Sequence, residues 1–264
     1  AEANEKARAL CHLIRRDTTA RRVLAFEGSF HGRTLLSLHA TLSPAKREPF
    51  EFPGYEARFA PLPVLTGSAS DEGIDEQRYL QLVAQGRIEE VVSEFGAAAG
   101  PQLTSEIESL QAVSSELATG SIFACIIEPM QSEGGDRYAA ARFFRALRLL
   151  TRYHGVPLII DEVQTGFGLG GPLAWHSSYG LVDPNGVADS PDVITFAKRA
   201  QVGVTVSCFA DPEPTSVHPA SLVRGLIHAR AINPADAQRV EATVRPRLQG
   251  LVAAFPELVL NPRA

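Results

Sequence analysis

The chain has 264 residues, 45% of them hydrophobic, and a formal net charge of −5. That is enough for one large domain with a buried core, and the modest, mixed charge points away from nucleic acid and from an anionic membrane surface. No apolar run reaches the roughly 20 residues that a bilayer-spanning helix needs.

The three cysteines, Cys11, Cys125 and Cys208, are odd in number, far apart and set in apolar surroundings. They read as buried reduced thiols, with no disulfide framework and no metal-ligand spacing, and they lead us to expect a cytoplasmic protein. The opening 16 residues mix charged and small apolar side chains, with no signal-peptide pattern. The sequence starts within a helical pattern, has Met130 as its only methionine, and stops at Asn261-Pro262-Arg263-Ala264. We therefore expect a piece of a longer protein.

In chain order, Ala3, Ala7, Leu10 and Ile14 fall at helical spacing and predict an amphipathic first helix. Val23 to Phe26 predicts a short buried strand, followed by a loop at Glu27-Gly28-Ser29-Phe30-His31-Gly32-Arg33. Residues 43–72 are rich in Pro and Gly and read as irregular. Two polar helices are expected near 75–95 and 104–117, as an insertion over the surface. Ser121 to Glu128 is apolar until its end, the pattern of a strand covered on both faces. Residues 140–154 have helical period, with Phe143, Phe144, Leu147 and Leu150 on one side. Three further strands are predicted at Val156–Asp161, Val193–Phe196 and Val204–Ala210, and residues 219–256 return to helix patterns. Strand–helix–strand alternation argues for an α/β fold with a mainly parallel sheet flanked by helices. We divide the chain into a large domain, 1–212, and a helical segment, 213–264.

In an open α/β sheet, ligands bind beyond the carboxyl ends of the strands. Three predicted strands end in polar residues there: Glu128, Asp161-Glu162, and Lys198 two residues past Phe196. Polar strand ends commonly do no more than meet solvent. An amine and two carboxylates at one edge, inside distinctive motifs, suggest a site. Gly166-x-Gly168-x-x-Gly171 also matches the spacing of a dinucleotide-binding loop, but Pro172 follows at once and no helix pattern opens there, which argues against that use.

Five ordered motifs carry a resemblance. Ala1-Glu2-Ala3-Asn4-Glu5, Ser29-Phe30-His31-Gly32-Arg33-Thr34, Ile127 to Gly135 (IEPMQSEGG), Ile160 to Gly168 (IDEVQTGFG) and Thr195-Phe196-Ala197-Lys198 resemble the signatures of class III (ω-)aminotransferases, nearest to those acting on 4-aminobutyrate, ornithine or lysine. The resemblance implies the large domain of the pyridoxal 5'-phosphate (PLP) fold type I. It implies that Lys198 bonds the cofactor aldehyde and then moves the proton, using an amine whose reactivity a buried position would raise. Asp161 is to pair with the pyridine nitrogen, Gln164 to bond the ring oxygen, and Val163 and Phe30 to cover the two ring faces. Ala1 lies at the edge of the phosphate turn. Arg33 is to fork onto a distal substrate carboxylate, and Glu133 to gate an arginine from a C-terminal domain.

There are departures. The family's phosphate-reaching threonine aligns with Ser216 or Val217, residues 182–190 read as a small insertion, and the glycine loop is Gly168-Leu169-Gly170-Gly171. The implied activity is ping-pong transfer of an ω-amino group from a small amino donor to a 2-oxo acid acceptor such as 2-oxoglutarate, in a homodimer. A truncated, non-catalytic remnant of the fold acting as a binding or interaction module is the alternative, and an aminomutase or decarboxylase on the same fold a weaker one.

Overall fold

The computed structural model describes residues 1–15, 19–50, 56–65, 73–212 and 217–258. Helix α1 (Glu2–Ile14) leads into strand β1 (Arg22–Phe26), short helices α2 (Leu35–His39) and α3 (Pro44–Arg47), and strand β2 (Glu56–Ala60). Helices α4 (Glu76–Ala84), α5 (Ile88–Phe95) and α6 (Pro101–Ala118) follow, then β3 (Ile122–Ile127) and a small hairpin of β4 (Met130–Gln131) and β5 (Arg137–Tyr138). Helix α7 (Ala141–Tyr153), β6 (Leu158–Asp161), β7 (Val193–Phe196), β8 (Val204–Ser207), α8 (Pro219–Ala231) and α9 (Pro234–Ala254) complete the order.

Six strands form one sheet in the order β2-β1-β3-β6-β7-β8. Every pairing is parallel except that of β7 with β8. Because β1, β3, β6 and β7 run the same way, the segments that leave their carboxyl ends share one edge of the sheet. The central strands are apolar on both sides because both faces are covered. Leu24, Phe26, Cys125, Ile127, Leu158 and Ile160 pack into one core with α4, α6 and α7. Val23, Ala25, Ala124, Ile126, Ile159 and Val193 alternate with them and pack with Ala7 and Cys11 of α1.

The expected strands at 23–26 and 193–196 and the helix at 140–154 are present. Strand β2 was not expected. It is a sheet edge with the sequence Glu-Ala-Arg-Phe-Ala, and one flank and alternate side chains face outward, so no apolar run betrays it. The helices of 75–117 are not a surface insertion. They bury Tyr79, Leu82, Val83, Val91, Leu110 and Val113 in the main core, with their charged residues other than Glu106 toward the outer face. A buried ion pair, Arg142 Nε to Glu106 Oε2 at 2.9 Å, pins α7 to α6. Residues 182–190 form an ordered turn closed by a Val182–Ala188 bridge, and Arg148 clamps it through Asp189 and Asp192 at 2.6 Å each. Cys11 and Cys125 are buried, but Cys208 is exposed, because the last expected strand stops at Ser207. The glycine-rich stretch 166–171 is turn, and no helix opens from it.

Helices α8 and α9 bury little. Only Gly225 of α8 is fully buried, and none of α9. A Cβ at Gly225 would stand 2.8 Å from the Ala200 carbonyl oxygen, so the glycine lets α8 seat against the turn that carries Lys198.

Candidate active site

The segments at the sheet's carboxyl edge enclose a cavity of about 220 Å³, lined by Ala1, Asn4, Phe30, His31, Gly32, Glu128, Ser132, Glu133, Asp161, Val163, Gln164, Ala197 and Lys198. Seven of the eight residues singled out from the sequence therefore meet in one place. Arg33 does not: it is exposed and stands outside the wall.

Asp161 closes β6 and is 3% exposed. Its Oδ2 accepts hydrogen bonds from Asn4 Nδ2 at 2.6 Å and His31 Nδ1 at 2.8 Å, and its Oδ1 from the Val163 N–H at 3.0 Å. Thr195 Oγ1 lies 3.3 Å from Oδ1 but donates its single proton to Asn4 Oδ1, the closer acceptor at 2.6 Å. Oδ1 therefore keeps acceptor capacity. Three donors fix the carboxylate on the strand end, so it presents a charge in one direction, toward the cavity. The sequence places these donors naturally. Asn4 lies one turn into α1, whose N-terminus meets the cavity at Ala1, and His31 follows Phe30 in the loop after β1. His31 is 1% exposed and its Nε2 is buried without a hydrogen-bond partner in the chain.

The Asp161-Glu162-Val163-Gln164 turn is held from both sides. Glu162 is fully buried and points away from the cavity, where Oε1 accepts from the His176 N–H at 2.7 Å and His176 Nδ1 at 2.8 Å, and Oε2 from Thr165. The Gly166 N–H closes the turn on the Glu162 carbonyl at 2.8 Å. Val163 and Gln164 are thereby set in the wall. Just past the neighbouring strand β7, Lys198 has φ +48, the left-handed region that non-glycine residues seldom occupy and that clusters at functional sites. Its Nζ donates to Gln164 Oε1, and Arg199 Nη1 donates to the Gln164 carbonyl at 2.9 Å. Amine, amide and turn thus form one unit. Lys198 follows the buried strand β7, as expected, but is itself exposed.

The loop after β1 is anchored by carboxylates from other elements. Glu128, just past β3, accepts the Phe30 N–H at 2.9 Å. Burial, reinforced by the nearby charge of Asp161, pushes its carboxyl well above the usual range, against the pull of the Phe30 N–H and Lys198. Glu5 of α1 accepts from Thr34 Oγ1 at 2.5 Å and from the Ser37 N–H at 2.8 Å, satisfying the N-terminus of α2. Gly32 has φ +135, and a Cβ there would lie 2.8 Å from Ala1 Cα, so only glycine lets the loop meet the start of α1.

The profile of the family described as aminotransferase class-III matches residues 1–218. The chain belongs to the class-III aminotransferase family. It is 35% identical over 186 residues to the 4-aminobutyrate aminotransferase of Mycosarcoma maydis, an alignment covering 68% of this chain and 30% of that protein. To the mitochondrial 4-aminobutyrate aminotransferase of Homo sapiens it is 35% identical over 181 residues, 69% of this chain and 31% of the relative. The alignments thus span about a third of the length of these curated relatives. Among solved structures, the lysine aminotransferase from M. tuberculosis superposes with a TM-score of 0.72 at 23% identity, covering all of this chain and 59% of that one. An ω-transferase from Vibrio fluvialis gives 0.65 at 19% identity, with 96% and 58% covered.

Class-III aminotransferases use pyridoxal 5'-phosphate, and the residues present fit it. The cavity joins a primary amine, a buried carboxylate with spare acceptor capacity, an amide, an aromatic ring and a helix N-terminus. Lys198 is one of only three lysines in the chain. Lys6 is paired with Asp211 at 2.7 Å and Lys46 with Glu133 at 3.2 Å, so Lys198 alone offers its amine inside the cavity wall.

Asn4, His31 and Ser132 were not singled out from the sequence as site residues, and Glu128 was noted only as a polar strand end at the sheet's edge. All four lie inside the motifs. The signal that could have found Asn4 was its position one helical turn from Ala1, and for His31 its adjacency to Phe30. Of the two positions considered for the threonine, Ser216 lies outside the described residues, and Val217 is exposed and apart from the cavity wall.

Proposed function

We propose that this chain is the cofactor-binding part of a transaminase that moves an ω-amino group from a small amino acid to a 2-oxo acid such as 2-oxoglutarate, in two half-reactions. Bound pyridoxal phosphate supplies an aldehyde carbon that exchanges amines and a pyridinium ring that draws electrons from the reacting carbon. The observation that carries the reading is the convergence of Lys198 and Asp161 on one cavity of about 220 Å³.

Lys198 is the one lysine in the cavity wall, and its Nζ takes and returns the proton at the substrate carbon that bears nitrogen. Asp161 keeps a proton on the ring nitrogen facing it by supplying a fixed negative charge, oriented by Asn4 and His31. Phe30 and Val163 would cover the ring, Gln164 would serve its oxygen, and the N-terminus of α1, capped by Ala1, would take the phosphate. Glu133 gates a cation that takes a substrate carboxylate, while the fork role of Arg33 has no support from its exposed place outside the wall. The curated relatives named for 4-aminobutyrate and the solved lysine aminotransferase support an ω-amine as donor. The division into a large domain, 1–212, and a helical segment, 213–264, belongs to the same proposal, supported by the scant burial in α8 and α9. So does a homodimer, supported by the exposed Leu222, Val223, Leu226 and Ile227, and a cytoplasmic location, supported by three free cysteines.

A second reading, a non-catalytic remnant of the fold, is favoured by the exposure of Lys198 and by Val217 standing away from the cavity. The experiment that separates them loads the chain with pyridoxal phosphate and adds 4-aminobutyrate, ornithine or lysine in turn. Conversion of the cofactor band to that of the pyridoxamine form, reversed by 2-oxoglutarate, supports the transaminase. A bound cofactor that no amine converts supports the remnant.

A further inference from the structure

Behind the cavity wall, Glu162, Thr165 and His176 form a polar cluster that lines no part of the cavity. Glu162 and Thr165 are fully buried and His176 is 8% exposed. Glu162 Oε1 accepts from the His176 N–H at 2.7 Å and from His176 Nδ1 at 2.8 Å, and Oε2 accepts from Thr165 Oγ1. His176 belongs to a one-turn helix, Trp175–Tyr179, that is itself fastened to the core. The Tyr179 ring stacks on Phe144 of α7 with 4.2 Å between centroids, and the Tyr179 carbonyl accepts from Arg145 Nη1 at 2.6 Å.

A buried carboxylate and imidazole are a costly way to fill space, since apolar side chains of similar volume would do so without desolvating polar groups. What the cluster adds is direction. The Thr165 hydroxyl and the Gly166 N–H both return to Glu162, one to its side chain and one to its carbonyl. Val163 and Gln164 are therefore strung between points fixed to a single buried residue. The Gln164 amide is the part of this turn that meets the amine, its Oε1 accepting from Lys198 Nζ. To serve a ring oxygen the same amide would donate from Nε2 instead. With the backbone pinned by Glu162, only the Gln164 side chain has to turn.

We propose that Glu162 and His176 are positioning residues for Gln164: they tie its turn to the core so that the amide is aimed at the cofactor's ring oxygen, and through the amide they set how readily that oxygen ionises. The inference rests on the transaminase reading. It gives a role at the reaction centre to two side chains that touch neither cofactor nor substrate. A donor to the ring oxygen favours its ionised form, so a loosened turn raises the pH at which the oxygen loses its proton.

The test loads the full chain with pyridoxal phosphate and follows three quantities: the pH midpoint of the cofactor absorbance band, the cofactor affinity, and the urea midpoint of the unloaded chain. His176→Leu removes the Nδ1 donor and keeps the backbone N–H. Its pH midpoint is expected to rise by about half a unit and its cofactor affinity to fall about three- to tenfold, the scale of one hydrogen bond. His176→Asn, whose Nδ2 can stand where Nδ1 does, is expected to keep both at wild-type values. So is Glu162→Gln, whose oxygen still accepts from His176 while its NH2 donates to the Thr165 hydroxyl. Glu106→Ala, which loosens α6 and α7 away from the turn, is expected to lower the urea midpoint and leave both cofactor readouts unmoved. If His176→Leu lowers the urea midpoint but leaves both cofactor readouts at wild-type values, or if Glu106→Ala moves the pH midpoint as far, the positioning role is overturned while the transaminase reading stands. Should His176→Leu fail to fold, Thr165→Val, which removes only the donor to Oε2, is read in its place against the same expectations. If the wild-type chain takes up no cofactor, the reading fails and the proposal fails with it.

Discussion

Replacing Asp161 by asparagine keeps the shape of the side chain and removes the charge on which the site is built. An asparagine can sit in two orientations. With its oxygen at the present Oδ2 position it keeps the Asn4 and His31 donors, at 2.6 and 2.8 Å, but turns its NH2 toward the Val163 N–H that Oδ1 accepts at 3.0 Å. The reverse orientation sets the NH2 against two donors, so the first is preferred. One buried N–H is then left without an acceptor, at about 1–3 kcal/mol, and two charge-assisted bonds become neutral ones, at about 1 kcal/mol each. The sum is about 3–5 kcal/mol, against about 5–15 kcal/mol for a typical folded chain. We expect Asp161→Asn to remain folded with a much lower urea midpoint, and to bind pyridoxal phosphate weakly because the ring nitrogen loses its anionic partner. Urea denaturation followed by circular dichroism, together with an absorbance titration of cofactor, measures both. A variant within about 0.5 kcal/mol of wild type that binds cofactor equally well would show that the three-donor cradle and the charge have been misread.

Glu128 gives a pH signature. Its carboxyl is raised by burial and by Asp161, so in the folded state it resists ionising. Wild-type stability is then fullest below the ordinary carboxyl range and is lost as pH rises toward the raised value. Glu128→Gln still offers an oxygen to the Phe30 N–H and cannot ionise, so its Tm relative to wild type should improve as pH rises above the ordinary carboxyl range; a gap that stays constant with pH would count against the raised carboxyl. In the core, Glu106→Ala leaves the Arg142 guanidinium buried without its bidentate partner, and should cost about 3–5 kcal/mol in denaturant unfolding. A loss below about 1 kcal/mol would mean that α6 and α7 are not pinned by this pair.

The parts of the fold that could be read in the sequence are those where burial imposes a simple pattern. Ile122–Ile127 and Val193–Phe196 are covered on both faces and appear as apolar runs. Strand β2 could not be read, because edge pairing is a main-chain affair that leaves charged side chains on the surface. The α4–α6 layer was misjudged for a related reason: a helix that buries one stripe still shows mostly polar residues along its length. At the site, Lys198, Asp161, Gln164, Val163 and Phe30 were legible because each sits inside a motif at the end of a strand or turn. The donors around Asp161 were not, since Asn4 and His31 are 157 and 130 residues away in sequence and meet it only through the sheet. Arg33 shows the opposite failure: a motif residue beside the wall that does not enter it.

The central claim is that the amine of Lys198 is the one that meets the cofactor. The chain has only Lys6, Lys46 and Lys198, which makes the measurement sharp. The protein is mixed with pyridoxal phosphate, reduced with borohydride, digested, and the modified peptide located by mass. The account predicts one dominant label on Lys198, lost in Lys198→Ala and strongly reduced in Asp161→Asn. A label spread over Lys6 and Lys46, or one on Lys198 that is indifferent to Asp161, would contradict it.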